Sequence, residues 1–178
     1  MQPFKVLSIV TLTLLAISTS SCKIAETETS MISSSEEQSA KDLLKLTDAE
    51  KKIIAENENT LRVTKECVKC DFRGAEFRAA NLGGADLSNA KLSYADLRSA
   101  NLNDVIISCA DLRRADLSNA RLNYSDFQEA DLSNARLSYA DLRGVNLWWT
   151  KLPEKLSNAV FEGAKTGPEN TWLLRGKL

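Results

Sequence analysis

From Cys70 to Glu154 a large apolar side chain recurs at every fifth residue. The positions are Phe72, Phe77, Leu82, Leu87, Leu92, Leu97, Leu102, Ile107, Leu112, Leu117, Leu122, Phe127, Leu132, Leu137, Leu142, Leu147 and Leu152. Apolar residues make up 43% of the chain, so seventeen consecutive hits by chance have a probability on the order of one in a million. Two places earlier in each unit stands a small residue, Ala in twelve of the seventeen, with Cys70, Val105, Ser125, Val145 and Thr150 as the exceptions. A period of five fits neither the 3.6 of an amphipathic helix nor the 2 of a simple strand. The pattern therefore predicts a repeat architecture whose narrow core takes one large and one small side chain per unit. Residues 85–98 and 130–143 both read ADLSNA, then Lys or Arg, then LSYADLR, forty-five residues apart. That identity points to growth by duplication of whole units.

The residues before the repeats divide into three pieces. Residues 1–22 carry Lys5, an apolar run from Val6 to Ile17, and the small polar string Ser18-Thr19-Ser20-Ser21-Cys22, which is the composition of a signal peptide. The run is twelve residues long, short of the roughly 20 that a spanning helix needs. Cys22 resembles the acylated first residue of a bacterial lipoprotein. The usual Leu three places earlier is Thr19 here, and cleavage after Ser18 or Ser20 fits the small-residue rule equally well. A diacylated Cys22 would tether the chain to a membrane, since two acyl chains hold where one does not. Residues 23–38 are rich in Ser, Thr and Glu and read as a flexible stalk. Residues 39–66 predict a collar of two short helices, the second opened by a capping box at Thr47 and Glu50. Ile53, Ile54 and Leu61 are expected to form its apolar edge, with Lys51, Lys52, Glu56 and Glu58 in water.

The units Ala85-Asp-Leu-Ser-Asn, Ala90-Lys-Leu-Ser-Tyr and Ala95-Asp-Leu-Arg-Ser resemble the pentapeptide-repeat family, whose motif is Ala-(Asp/Asn)-Leu-x-x. The resemblance covers about half the chain and implies an all-β fold: a right-handed quadrilateral β-helix with four units to a turn. The seventeen units, placed in a solenoid over 67–154, would make about four turns, a rod of about 20 Å at the ~4.8 Å spacing of stacked strands. Side chains twenty residues apart would then share a row. The second-position row Asp71, Lys91, Asp111, Asp131, Lys151 mostly alternates in sign, Asp116 would meet Arg136, and Arg121 would meet Asp141. Asp111 over Asp131 and Asp96 over Asp116 go against the trend. The charges read as a solvated, self-pairing surface.

Residues 155–178 are expected to be a cap or tail over the open end of the solenoid. Leu156 and Phe161 resume the spacing one place out of phase, and Trp148, Trp149 and Trp172 are candidates for that cap or for an interface, including a homodimer through the C-terminal end. Tyr94, Tyr124, Tyr139 and Ile106 are expected to point outward. Cys67-Val-Lys-Cys70 is the sharpest chemical candidate. In an exported chain it predicts a structural disulfide joining collar to first turn, and its alternatives are reduced thiols or a small thiol-disulfide redox protein. Zinc would need two further ligands, and only Cys109, expected about 10 Å away along the axis, is left in a chain without His.

Composition narrows the function classes. With no His, the usual general base near neutral pH is missing, and the reading is non-enzymatic with no cofactor or metal. Some family members mimic duplex DNA toward a topoisomerase, which demands a strongly negative rod. Residues 70–155 hold twelve acids and eleven bases, which disfavours that reading, as does the export signal, and no basic stripe suggests nucleic-acid binding. The expectation is an exported envelope scaffold, periplasmic or membrane-attached, or in a thylakoid lumen if the source is photosynthetic, that presents its surface to a protein partner. The register itself is testable by melting: Leu112→Arg should abolish cooperative unfolding, because an unpaired charge would replace about 1.5–3 kcal/mol of side-chain burial. Arg113→Ala should barely move the midpoint, and equal effects would refute the register.

Overall fold

The computed structural model describes residues 45–171, 174 and 175. The signal peptide, the stalk, Cys22, the first collar helix up to residue 44 and Trp172 lie outside the described residues. The described chain is a helix, α1 (Asp48–Thr64), followed by a coiled ladder and ending in a short helix, α2 (Pro168–Thr171).

The ladder follows from where each unit sends its backbone groups. Parallel bridges join second positions twenty residues apart, as in Asp71 to Lys91 to Asp111 to Asp131 to Lys151, so four units close one turn. The third-position N–H donates to the second-position carbonyl of the next turn, as Phe72 does to Lys91 at 2.7 Å. The fifth-position N–H donates to the fourth-position carbonyl of the next turn, as Gly74 does to Ser93 at 3.0 Å. The second-position N–H reaches back to a first-position carbonyl, as Lys91 does to Cys70 at 2.9 Å. Corners close through bonds such as Ala75 N–H to the Phe72 carbonyl at 3.0 Å.

One N–H per unit, at the fourth position, has no place in this scheme. Where the second position is Asp or Asn, its carboxylate or amide takes it. Asp86 Oδ1 accepts from Ser88 N–H at 2.9 Å, Asp131 Oδ1 from Ser133 at 2.9 Å, and Asn146 Oδ1 from Trp148 at 3.3 Å. That is the physical reason for Asp or Asn after Ala: these side chains bond the backbone two residues on, where an unmatched donor would otherwise be left.

Sixteen of the seventeen predicted core positions, Phe72 to Leu147, are buried. Leu152 is only half-buried, because it borders the break at Pro153. Small first positions line the same core. Where Ser125 and Thr150 replace Ala, their hydroxyls donate to the Leu102 and Phe127 carbonyls at 2.8 and 2.7 Å, so burial leaves neither unsatisfied.

Both boundaries of the ladder lie further out than the 67–154 of the sequence reading. At the start, Glu66 bridges Asp86, and Cys67 takes a core position at 4% exposure. At the end the pairing step shortens from twenty residues to nineteen, in Asp141 to Val160 and in the parallel strands β1 (Asn146–Leu147) and β2 (Lys165–Thr166). One residue is missing from the turn at Pro153, and Leu156, Ala159 and Phe161 are buried beyond it. Residues 155–166 are therefore ladder, not tail. From Glu66 to Lys165 the chain makes about five turns of about twenty residues, one more than seventeen units would give.

α1 covers the first turn. Thr47 and Glu50 form the capping box, and Ile54 and Leu61 are buried. Ile53 is 50% exposed, a correction to the expected apolar edge: the face turned to the ladder runs through Glu50, Ile54, Asn57 and Leu61, at helical spacing. Asn57 donates to the Asp71 carbonyl at 3.0 Å, and Arg73 joins Glu50 at 2.7 Å while chelating Asp71. At the other end Asn170 in α2 donates to the Thr150 carbonyl at 2.7 Å, Glu169 accepts from Trp149 N–H at 2.8 Å, and Leu174 is fully buried.

Every fifth position from Lys69 to Trp149 has φ near +60°, and only Gly74, Gly84 and Gly144 among them are glycine. Left-handed backbone costs other residues roughly 1–2 kcal/mol. A Cβ added at Gly84 meets nothing within 4 Å, whereas one at Gly144 comes 2.6 Å from the Tyr124 ring. Gly84→Ala should lower stability by about 1 kcal/mol through backbone strain alone. Gly144→Ala should cost more, and adding Tyr124→Ala should remove the excess, as chemical denaturation of the single and double variants would show.

The α1 tie is pH-sensitive. Accepting the Thr47 backbone N–H, with Arg73 alongside, lowers the Glu50 carboxyl to about 2. A carboxyl depressed in the folded state contributes stability above its unfolded pKa of about 4.3 and loses it as pH falls through the folded value. Stability should therefore decline between about pH 4.5 and 2, and Glu50→Gln should flatten that decline in acid titrations followed by circular dichroism.

Candidate functional site

The outward side chains lie on four flat faces, set by the corners. On three of them the charges neutralise one another, but by a different geometry from the expected rows. The close pairs are local: Asp71–Arg73, Asp96–Arg98, Asp111–Arg113 and Asp141–Arg143, each second-position carboxylate gripping the Arg two residues on at 2.5–2.7 Å. An extended residue pair i, i+2 points to one side of a strand, which puts these groups side by side. The Arg98 guanidinium lowers the Asp96 carboxyl, and Arg143 does the same for Asp141. Cross-turn pairs are longer, 3.4 Å for Asp131–Lys151 and 3.8 Å for Asp116–Arg136. The two stacked like-charge rows are thereby relieved: Arg113 and Lys151 serve Asp111 and Asp131, while Arg98 and Arg136 serve Asp96 and Asp116.

The fourth face, carried by the units that begin at residues 85, 105, 125 and 145, has another chemistry. The outward positions of these four units hold no Lys or Arg, being Asp86, Ser88, Asn89, Ile106, Ser108, Cys109, Asp126, Gln128, Glu129, Asn146, Trp148 and Trp149, and the face continues to Lys69 at one end and Lys165 at the other. Ile106 is 45% exposed, Trp148 42% and Trp149 52%, and the two indoles stand 6.4 Å apart at 57°. Two aromatic rings with half their surface in water, one turn from Gln128 and the carboxylates of Asp126 and Glu129, form a surface suited to contact with another molecule. Of the tyrosines, Tyr124 and Tyr139 are exposed, while Tyr94 is half-buried under the Arg114 guanidinium, which also bonds its hydroxyl.

Cys67 and Cys70 form a disulfide with Cα atoms 5.4 Å apart. Both ends lie within the ladder: Cys67 is in its core and Cys70 in a half-buried first position. The pair follows the C-terminal end of α1, where the helix dipole is negative and disfavours a thiolate. Among the described residues no cysteine is free and no cluster of metal-ligating side chains occurs. A groove of about 300 Å³ between α1 and the first turn is lined by Leu46, Ile54, Ala75, Arg73, Lys51 and Glu76, among others.

Sequence reasoning did not single out the face as a unit, because its members are spaced by twenty residues and include both charged and apolar types. The signal was nonetheless present, as a lack of Lys and Arg at every fourth unit.

A model of pentapeptide repeats, eight copies long, matches residues 70–108 and 110–148. Among solved structures the chain is similar to the pentapeptide repeat protein alr5209 from Nostoc PCC 7120, with 29% identity over 66% of this chain and 94% of that one and a TM-score of 0.54. It is also similar to HetL of Nostoc sp. strain PCC 7120, a protein involved in heterocyst differentiation regulation, with 34% identity over 56% of this chain and a TM-score of 0.48. The chain spans 46% of HetL. No curated protein matches it. The five-residue period, the twenty-residue ladder and the family model coincide on the same segment, so residues 70–148 match the pentapeptide repeats in both sequence and backbone pairing.

Proposed function

We propose that this protein is an exported, non-enzymatic scaffold that presents the Trp148–Trp149 face of its rod to a protein partner. Pentapeptide-repeat proteins are generally non-enzymatic scaffolds, and the residues here support the same reading. The Asp carboxylates at second positions are occupied with backbone N–H groups and, in Asp71, Asp96, Asp111 and Asp141, with the Arg two residues on. The observation that carries the proposal is the pair of half-exposed indoles in a run of four stacked units that hold no Lys or Arg. Tryptophan is enriched where interfaces concentrate their binding energy, and a rigid ladder holds it ready at little entropic cost.

Export rests on the sequence of residues 1–22, and Cys22 is the candidate for lipid attachment. The Cys67–Cys70 bond is read as structural, fastening the first unit of the ladder next to α1.

The test combines Trp148→Ser and Trp149→Ser in the mature protein, used as bait in the native envelope with cross-linking. The expected outcome is loss of the captured partner while the denaturation midpoint stays within about 1 kcal/mol of the unaltered chain, as for exposed positions. A loss of more than about 2 kcal/mol with capture retained would make the indoles a cap and overturn the interface. Mass spectrometry of the mature N-terminus checks export: a chain still beginning at Met1 would contradict it, and a diacylated Cys22 would establish the anchor.

A further inference from the structure

Each step of the ladder is polar along the rod axis. Toward the next turn every unit extends two N–H donors, at its third and fifth positions, and one carbonyl, at its first. Toward the preceding turn it extends two carbonyls, at the second and fourth positions, and one N–H, at the second. The first turn therefore ends in an edge rich in acceptors, and the last turn ends in an edge rich in donors. The helices at the two ends are chemically matched to that difference. At the first edge Asn57 donates to the Asp71 carbonyl, and Lys65 donates its ammonium to the Asn81 carbonyl. At the last edge Glu169 accepts from Trp149 N–H, and Asn170 donates to the Thr150 carbonyl, a first-position acceptor.

We propose that the two ends of the rod are complementary docking edges for a second copy of this chain, joined head to tail, and that α1 and α2 each block one of them. The acceptor-rich edge fits only the donor-rich edge, because each places its groups where the other lacks them. Two first edges would set carbonyl against carbonyl, and two last edges N–H against N–H. The same twenty-residue step that stacks one turn on the next within the chain would stack the last turn of one copy on the first turn of another. Such a contact is heterologous and does not close on itself, so an end pair is self-limiting only while one cap on each copy remains in place.

The experiment uses the full chain with one cap opened at a time. Ile54→Asp with Leu61→Asp removes the buried contacts of α1, and Asn170→Asp with Leu174→Asp removes those of α2. Mass is read by light scattering after size exclusion, relative to the unaltered chain, with circular dichroism reporting the ladder. Each variant alone should keep the mass of the unaltered chain. An equimolar mixture of the two should double it and stop there, and a chain carrying all four substitutions should grow into longer polymers. Self-association of either variant alone into a like-ended pair would overturn the proposal, as would a mixture that stays at the single-chain mass with the ladder intact. Should circular dichroism show that Leu61→Asp has unfolded the first turn, Ile54→Asp with Asn57→Asp replaces the first variant. Those changes remove one buried contact of α1 and its bond to the Asp71 carbonyl while leaving Leu61 in the core.

Discussion

Three backbone hydrogen bonds per unit, running between turns twenty residues apart, are the interaction on which the rest of this structure depends. They fix where each group must point before any side chain is chosen. Third positions must face inward and be large. First positions must face inward and be small, because they sit beside the corners. The fourth-position N–H, unused by the ladder, sets the choice of Asp or Asn at the second position. A sequence of five-residue words is the record of that backbone scheme, written once per side of a square.

The same scheme carries a cost that the side chains do not show individually. Fifteen residues other than glycine, from Lys69 to Asn158, hold a left-handed backbone at the corners, where each is disfavoured by roughly 1–2 kcal/mol. The bonds on both sides of every corner hold it there. Stability is consequently distributed along the axis: each turn supports the corners of its neighbours, in the manner of other stacked repeats where neighbouring units stabilise one another. The ends, which have one neighbour instead of two, are where helices are needed, and both helices supply polar side chains to backbone groups as well as buried apolar ones.

Much of this was legible from residues alone. The core register was, because Leu and Phe recur without a gap, and the capping box at Thr47 was, because its two partners are adjacent in sequence. The left-handed corners were not, although Asn89, Asn119, Asn134 and the glycines at fifth positions hinted at them, since Tyr, Arg and Trp occupy the same backbone state under tertiary constraint. The cross-turn pairs Asp116–Arg136 and Asp131–Lys151 were legible from the twenty-residue period, but the closer Asp-x-Arg pairs were not, because attention to rows hid the two-residue spacing that brings those groups together. The end of the ladder was misplaced because Pro153 removes one residue from a turn, which breaks the written register without interrupting the stack. Ile53 was misjudged because two adjacent helical positions cannot both face a flat edge. The Trp148 face was the least legible part, since it is assembled from four separate units.

The forty-five-residue echo between 85–98 and 130–143 takes on a different meaning once a turn is known to be twenty residues. Forty-five residues are two turns and one further side, so the two copies, nearly identical in sequence, look out from neighbouring walls at right angles to each other. Lengthening such a chain by copying a block that is not a whole number of turns winds inherited surface chemistry around the axis like a thread on a screw. A motif that began on one compass point is thus carried to another, and the protein acquires differently oriented displays from a single ancestral text.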